Sequence, residues 1–297
     1  MIGLGLAKSL STLSGAKVLE YINCPICRSN AYRRINTCKI APEDADIPEK
    51  ALDMVRCRGC GLIFINPQPR FPKEQMKKLY DREYFNKGYM KFYDDQREVC
   101  SFQSNEPFSC RLDLIERHKR SGRILDIGCA TGGFLNLARE RGWEAFGVEF
   151  SDYAADLAIK KYNLNVFNGS LEEAQFKDDD FDLVCASDII EHVNDPVDFL
   201  QEIHRILAND GLLYLAFPNA GSFYYKFFGL IARYNYRNYF LLPYHLYHFS
   251  PSTIKLLLNK TGFNIVQLKF SHSRSPLLFM NIFNFRDRIL LIAKKKR

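Results

Sequence analysis

From residue 123 onward, short apolar runs alternate with amphipathic stretches. The runs at 123–127, 145–149, 165–168, 181–187 and 212–217 have the length of buried strands. Between them, 134–141, 152–162 and 196–207 repeat apolar residues at helical spacing. Ser151 precedes the second of these helices as an N-cap. Pro196 opens the third, in the first turn, where a missing N–H costs nothing. A further helix is expected at 251–261, capped by Ser250 and stopped by Gly262, followed by strands near 263–270 and 288–294. Such alternation predicts an α/β fold with a parallel sheet and right-handed crossovers.

The first part of the chain is organised differently. Cys24-Pro25-Ile26-Cys27 and Cys57-Arg58-Gly59-Cys60 each place two thiolates on one tight turn. Gly59 and Gly61 permit the backbone angles such a turn needs. Four sulfurs make the tetrahedral set that Zn²⁺ takes in closed structural sites, so Cys24, Cys27, Cys57 and Cys60 are expected to form a zinc ribbon. A redox dithiol would explain one pair but not two matched ones. Apolar residues at 54–56 and 62–65 read as two short strands around the second pair. Residues 72–121 read as mostly helical, with an aromatic packing face that includes Tyr80, Tyr84 and Phe85. The expected organisation is a ribbon over 1–66, a helical substrate-side segment over 67–121 and an α/β domain over 122–297. Within that domain lies an aromatic insert, 220–249, readable as a lid over a substrate, as core, or as a membrane-docking surface.

Composition narrows the class. Hydrophobic residues at 47% and charged residues at 25% are those of a globular protein, and exclude a disordered tail, a collagen-like repeat or a small disulfide scaffold. No uncharged apolar run reaches 18 residues. The start lacks a basic region and a small-residue cleavage site, so no signal peptide is expected. Nine cysteines without a leader read as a reducing, cytoplasmic setting, with contact to the membrane's inner face left open. The net charge of +7 is uneven: +6 over 1–122, −11 over 123–219 and +12 over 220–297. The acidic block is a poor surface for phosphate or nucleic acid. The basic block could meet an anionic partner.

The chemistry gathers where the first strand ends. Asp126-Ile127-Gly128-Cys129-Ala130-Thr131-Gly132-Gly133 is a glycine loop that opens a helix, the nucleotide corner of a doubly wound sheet. Its spacing fits neither G-x-G-x-x-G nor the P-loop, and it carries no Lys or Arg. Glu149, 21 residues after Gly128, ends the second strand, where a carboxylate accepts hydrogen bonds from ribose hydroxyls. Two carboxylates and no cation suit a cationic nucleoside without phosphate.

The segments ILDIGCATGGFLNLA, GVE, FDLVCASDIIEHVNDP and LLYLAFPN resemble a class I S-adenosylmethionine-dependent methyltransferase over about residues 120–297. The resemblance implies a seven-stranded Rossmann-like sheet with one antiparallel strand. It implies S-adenosyl-L-methionine held by Asp126, Gly128, Cys129, Ala130 and Gly132, with Glu149 and Phe150 at the ribose, Ser170 and Leu171 near the adenine and Ser187 at the mouth of the fourth strand. CPIC…CRGCGLIFINPQP beside such a domain is similar to zinc-containing sugar C-methyltransferases and glycan-cluster relatives. That likeness implies a Glu191–His192 acid/base role and a small-molecule acceptor, a sugar or glycan precursor bearing a nucleotide or lipid phosphate. His245 is a further candidate, as base or substrate ligand. With His248 alone it makes no metal site, since no third ligand lies near them in sequence.

Two rival readings stay open at this level. One is an RNA methyltransferase, disfavoured because no arginine-rich stripe or RNA-binding module is visible. The other is a non-catalytic scaffold on the same fold. The methylated atom and the oligomeric state are not legible.

Overall fold

The computed structural model describes residues 18–39, 51–71, 73, 76–77, 80, 82–85, 107–222, 244–271 and 288–296. About half of the expected 67–121 segment and most of the 220–249 insert lie outside these residues, as does the choice among lid, core and membrane surface.

Five strands come first: β1 (Val18–Glu20), β2 (Tyr32–Lys39), β3 (Ala51–Cys57), β4 (Ile63–Ile65) and β5 (Gln68–Arg70). Helix α1 (Phe108–Glu116) leads into β6 (Gly122–Ile127), α2 (Gly133–Glu140), β7 (Trp143–Glu149), α3 (Asp152–Tyr162), β8 (Asn165–Asn168) and β9 (Phe181–Ser187). Then follow α4 (Pro196–Ile206), β10 (Leu207–Pro218), β11 (Tyr247–His248), α5 (Pro251–Lys260), β12 (Phe263–Ser271) and β13 (Arg288–Lys295).

The caps behave as their residue types require. The Ser151 hydroxyl accepts from Ala154 N, Asp195 accepts from Val197 N and Asp198 N ahead of Pro196, and Ser250 with Thr253 forms a reciprocal capping box. Most boundaries fall within two residues of expectation, and the largest difference is where α4 meets β10. Helix α4 ends one residue early because Leu207 is already extended (φ −76°, ψ 134°). Strand β10 therefore starts at Leu207, which pairs with Phe181, before the register shifts at Leu212.

The main sheet has seven strands in the order β12-β13-β10-β9-β6-β7-β8. Every pairing is parallel except the two made by β13. Both faces are buried, and β10 shows it by alternation. Leu213, Leu215 and Phe217 join one apolar cluster, while Leu212, Tyr214 and Ala216 join the other. Cys129 and Cys185 are buried in the second cluster.

The ribbon does not stand apart. Its sheet runs β11-β4-β3-β2, so its edge strand comes from residues 247–248. Cys24, Ile26, Cys57, Leu62 and Phe64 share one apolar cluster with α5 and the main sheet. At the end of α5, Lys260 donates to the Pro25 and Ile26 carbonyls at 3.1 and 2.7 Å. Of the aromatic face expected in the segment before α1, Tyr80, Tyr84 and Phe85 are described, and they stack edge to face at 5.1 Å.

Candidate active site

The glycine corner forms where β6 stops. Gly128 has φ 73°, and a Cβ there would sit 2.4 Å from Ile189. Gly132 has φ 83°, with Leu164 at 2.6 Å and Ala158 at 2.9 Å from a built Cβ, so it lets α2 pack closely on its neighbours. Ala130 also lies in the left-handed region, at φ 51°. Its N–H donates to Glu149 Oε2 at 2.8 Å, and Ser151 N donates to Oε1 at 2.7 Å. Glu149 thus closes the corner across β6 and β7. Each oxygen keeps a second lone pair for a ligand. Burial raises its pKa, opposed by the N–H groups of Ser151, Ala130 and Phe150.

Asp126 is 4% exposed. Burial pushes its carboxyl up to about 7, Arg111 pulls it down and Glu149 adds to the rise. Arg111 was not singled out by the sequence. It comes from α1, is itself buried, and its guanidinium lies 4.5 Å from the Phe134 ring and 5.5 Å from the Tyr214 ring. The corner therefore holds one cation beside its two carboxylates.

The other expected cofactor residues fall around this corner unequally. The Cys129 side chain points into the core, under Gly147, and only its backbone belongs to the loop. The Phe150 ring carries the Lys73 ammonium 6.0 Å above it. Ser170 and Leu171 follow β8. Ser170 N donates to Glu173 Oε2 at 3.0 Å, and Leu171 is buried in the core. Ser187 ends β9 with a buried hydroxyl that has no hydrogen-bond partner. Lys77 donates to Asp152 at 2.6 Å, Lys73 pairs with Glu173, and the Ser151 hydroxyl donates to the Tyr80 carbonyl. Lys73, Lys77 and Tyr80 therefore lie along the rim of the corner.

The second half of the site follows β9. Asp188 has φ 58° and makes a buried ion pair with Arg288 of β13 at 2.7 Å. Neither residue stood out in the sequence, because their partnership spans a hundred residues. Glu191 is 1% exposed and, among the described residues, neither carboxylate oxygen has a hydrogen-bond partner on another residue. Burial and the Asp188 charge push its pKa well up, opposed by its own backbone N–H and Arg288. The Glu191 carbonyl accepts from Leu246 N and Tyr247 N at 2.8 and 3.1 Å. His192 Nδ1 lies 3.0 Å from the Tyr244 carbonyl oxygen. The rings of His192 and His245 meet edge to face at 4.5 Å. Burial lowers His192 to about 4, with the Tyr244 carbonyl and Asp188 opposing. Burial lowers His245 well below the usual histidine range, helped by His192, His248 and Arg288. All three histidines are neutral near pH 7.

The structure thus brings His192, Glu191 and His245 together, and puts His248 on β11, its ring 6.3 Å from that of His245. A base that titrates near 4 is far from the optimum for accepting a proton at neutral pH.

The four ribbon cysteines also converge. Their sulfurs lie within 4.8 Å of one another, with Cys24–Cys60 and Cys27–Cys57 each at 3.4 Å. Bonds of about 2.3 Å to one tetrahedral Zn²⁺ need sulfurs roughly 3.8 Å apart. A Cβ on Gly59 would press on Cys27 Sγ at 3.1 Å. Burial alone would raise Cys57, but the Cys60 and Gly59 N–H groups and the neighbouring thiols bring it down to about 7. The donor set fits zinc.

Comparison with known proteins places this geometry. A family described as "Methyltransferase domain" matches residues 99–268. The demethylmenaquinone methyltransferase of Staphylococcus saprophyticus is 24% identical over 198 residues, 60% of this chain and 85% of that protein. The ubiquinone biosynthesis O-methyltransferase of Nitrosospira multiformis is 27% identical over 166 residues, 52% of this chain and 68% of that protein. Among solved structures, an S-adenosylmethionine-dependent methyltransferase from Listeria monocytogenes aligns at TM-score 0.51 and 17% identity, covering 64% of this chain and 96% of that one. A chain from the Haloferax volcanii complex of the Trm112 methyltransferase activator with a methyltransferase aligns at TM-score 0.52 and 16% identity, covering 64% and 90%. At such identities the structural likeness is one of fold.

Proposed function

The chain belongs to the methyltransferase-domain family and is an S-adenosylmethionine-dependent methyltransferase, and from that premise we propose that it methylates a small-molecule acceptor held between the end of β9 and residues 244–248. One observation carries this reading. The glycine corner and the Glu191–His192–His245 cluster both open from the carboxyl ends of adjacent parallel strands, where ligands of such sheets bind.

S-adenosylmethionine, when bound, supplies an already activated methyl group. The work left to this chain is placement and proton management. Gly128, Ala130 and Gly132 let the backbone approach the ligand, and the Cys129 amide lines the same loop. Asp126 faces its cationic part and Glu149 the ribose hydroxyls. Phe150, Ser170 and Leu171 border the adenine side, and Ser187 the methyl side. Glu191, His192 and His245 border the acceptor and would receive its proton, although burial disfavours the charged imidazole. Cys24, Cys27, Cys57 and Cys60 would hold one structural Zn²⁺, which fastens the ribbon beneath residues 244–248. On this reading the ribbon (1–66) and the helical segment (67–121) serve the acceptor side of the transfer domain (122–297).

For the acceptor, the names of the relatives support a quinone-type ring, methylated at oxygen if the chain acts as the ubiquinone biosynthesis O-methyltransferase does. The ribbon motif supports the alternative, a sugar or glycan precursor. A nucleic-acid acceptor has the weaker footing, since residues 123–219 carry a net −11. The deciding experiment incubates the protein with methyl-labelled S-adenosylmethionine and two panels, quinol precursors and nucleotide- or lipid-linked sugars. Label in a quinol supports the first reading and label in a sugar the second. Binding of the cofactor with label in neither panel defeats both.

A further inference from the structure

Beyond the zinc ribbon, a second group of donor atoms converges in this molecule. We propose that Glu191, His192 and His245 form a binding site for a divalent transition-metal ion with nitrogen and oxygen ligands.

The three donor atoms lie within 4.8 Å of one another, on two segments 53 residues apart in sequence. Three features set them out as ligands rather than as packing. First, the Glu191 carboxylate is 1% exposed and, among the described residues, neither oxygen has a hydrogen-bond partner on another residue. A buried charge without hydrogen bonds or a counter-ion is strongly disfavoured. The Arg288 guanidinium is already paired with Asp188 at 2.7 Å. Second, His245 is 3% exposed and its Nε2 has no partner. Third, His192 Nδ1 sits 3.0 Å from the Tyr244 carbonyl oxygen. A carbonyl only accepts, so Nδ1 carries the proton and Nε2 keeps its lone pair. Metal-binding histidines are oriented in this way by an outer carbonyl or carboxylate.

The backbone holds the donors in place without a ligand. His192 N donates to the Ile189 carbonyl at 2.9 Å, while Leu246 N and Tyr247 N donate to the Glu191 carbonyl. The two segments are thus stitched together on both sides of the donor atoms. Two imidazoles and one carboxylate suit Zn²⁺, Fe²⁺, Mn²⁺ or Co²⁺ better than Mg²⁺ or Ca²⁺, which prefer all-oxygen sets. Three protein ligands leave coordination positions open. The use of that opening to hold an acceptor oxygen rests on the proposed methyl transfer. The binding of the ion does not.

The test uses the full chain, stripped with a chelator and dialysed against Co²⁺. Cobalt is counted by elemental analysis and followed by visible absorption, in wild type, Glu191→Gln and His245→Ala. Wild type should hold one more Co²⁺ per chain than either variant, with the affinity of that ion reduced roughly 100-fold or more by loss of a direct ligand. The thiolate-to-cobalt absorption of the ribbon should be unchanged in all three. Equal cobalt counts in wild type and a folded Glu191→Gln overturn the proposal and leave Glu191 as a protonated acid in a dry pocket. Glu191→Gln is nearly isosteric, so it decides the matter if His245→Ala fails to fold, with circular dichroism as the check. Wild type that binds the extra ion but transfers no methyl group defeats the proposed function and leaves the metal site standing. Methyl transfer at full rate by the chelator-treated protein, with no extra ion bound, does the reverse.

Discussion

Asp126 and Glu149 show how much a single position carries. Asp126 ends a strand inside the sheet, where its neutral form is favoured up to about pH 7 against 3.8 for an ordinary aspartate. The folded state then binds more protons than the unfolded state between those values, so this residue lowers stability as pH rises from about 4 to about 7 and not beyond. Asp126→Asn should therefore gain stability relative to wild type across that window, by up to about 4 kcal/mol, and plateau above it. Urea unfolding at pH 5 and pH 8 measures the difference, and a constant gap would refute the assignment. Glu149 holds the Ala130 and Ser151 N–H groups. Glu149→Gln should weaken S-adenosylmethionine binding by about 1–3 kcal/mol, the scale of a charged hydrogen bond, as read by calorimetry. Affinity equal to wild type would remove Glu149 from the ribose.

Among the elements, the ribbon turns and α5 depend on each other. The sulfurs approach to 3.4 Å only because Gly59 leaves room beside Cys27 and the turns are closed by Arg28 N to the Cys24 carbonyl and Gly61 N to the Cys57 carbonyl. Binding of structural zinc is largely folding free energy. Cys57→Ser should lose one Zn²⁺ per chain, measured by elemental analysis. It should also lower the melting temperature, because Cys24, Cys57 and Phe64 share their apolar cluster with Ile254 and Leu257 of α5. Loss of metal without loss of stability would show that the ribbon is merely appended.

For the whole molecule, that shared cluster predicts joint unfolding. Ribbon and sheet have no separate cores on this face, and β11 closes the ribbon sheet from the far side of the chain. Thermal unfolding followed by Trp143 fluorescence and by zinc release should coincide. S-adenosylmethionine at a hundred times its dissociation constant should raise stability by about 2.7 kcal/mol and delay both signals together. Zinc release well below the fluorescence transition would show two independent units. No helix among the described residues is long and apolar enough to cross a membrane.

What the sequence determined by itself is what depends on neighbours along the chain. The strand–helix rhythm from residue 123, the caps at Ser151 and Ser250, Pro196 in a first turn, the paired cysteine turns and the glycine corner are all encoded within a few residues, since periodicity and backbone sterics act locally. That the sheet has seven strands, one of them antiparallel, was what the family resemblance implied, and the tertiary structure supplied their order. The tertiary structure alone decided what rests on distant partners. Asp188 finds Arg288 a hundred residues away, Arg111 reaches Asp126 from α1, and β11 crosses to the ribbon. It also decided the character of His192. A His beside a Glu reads as a base in sequence, but burial outweighs the opposing Tyr244 carbonyl and leaves a neutral imidazole whose Nδ1 proton that carbonyl accepts. Desolvation is a property of everything packed around a group, and no spacing rule contains it.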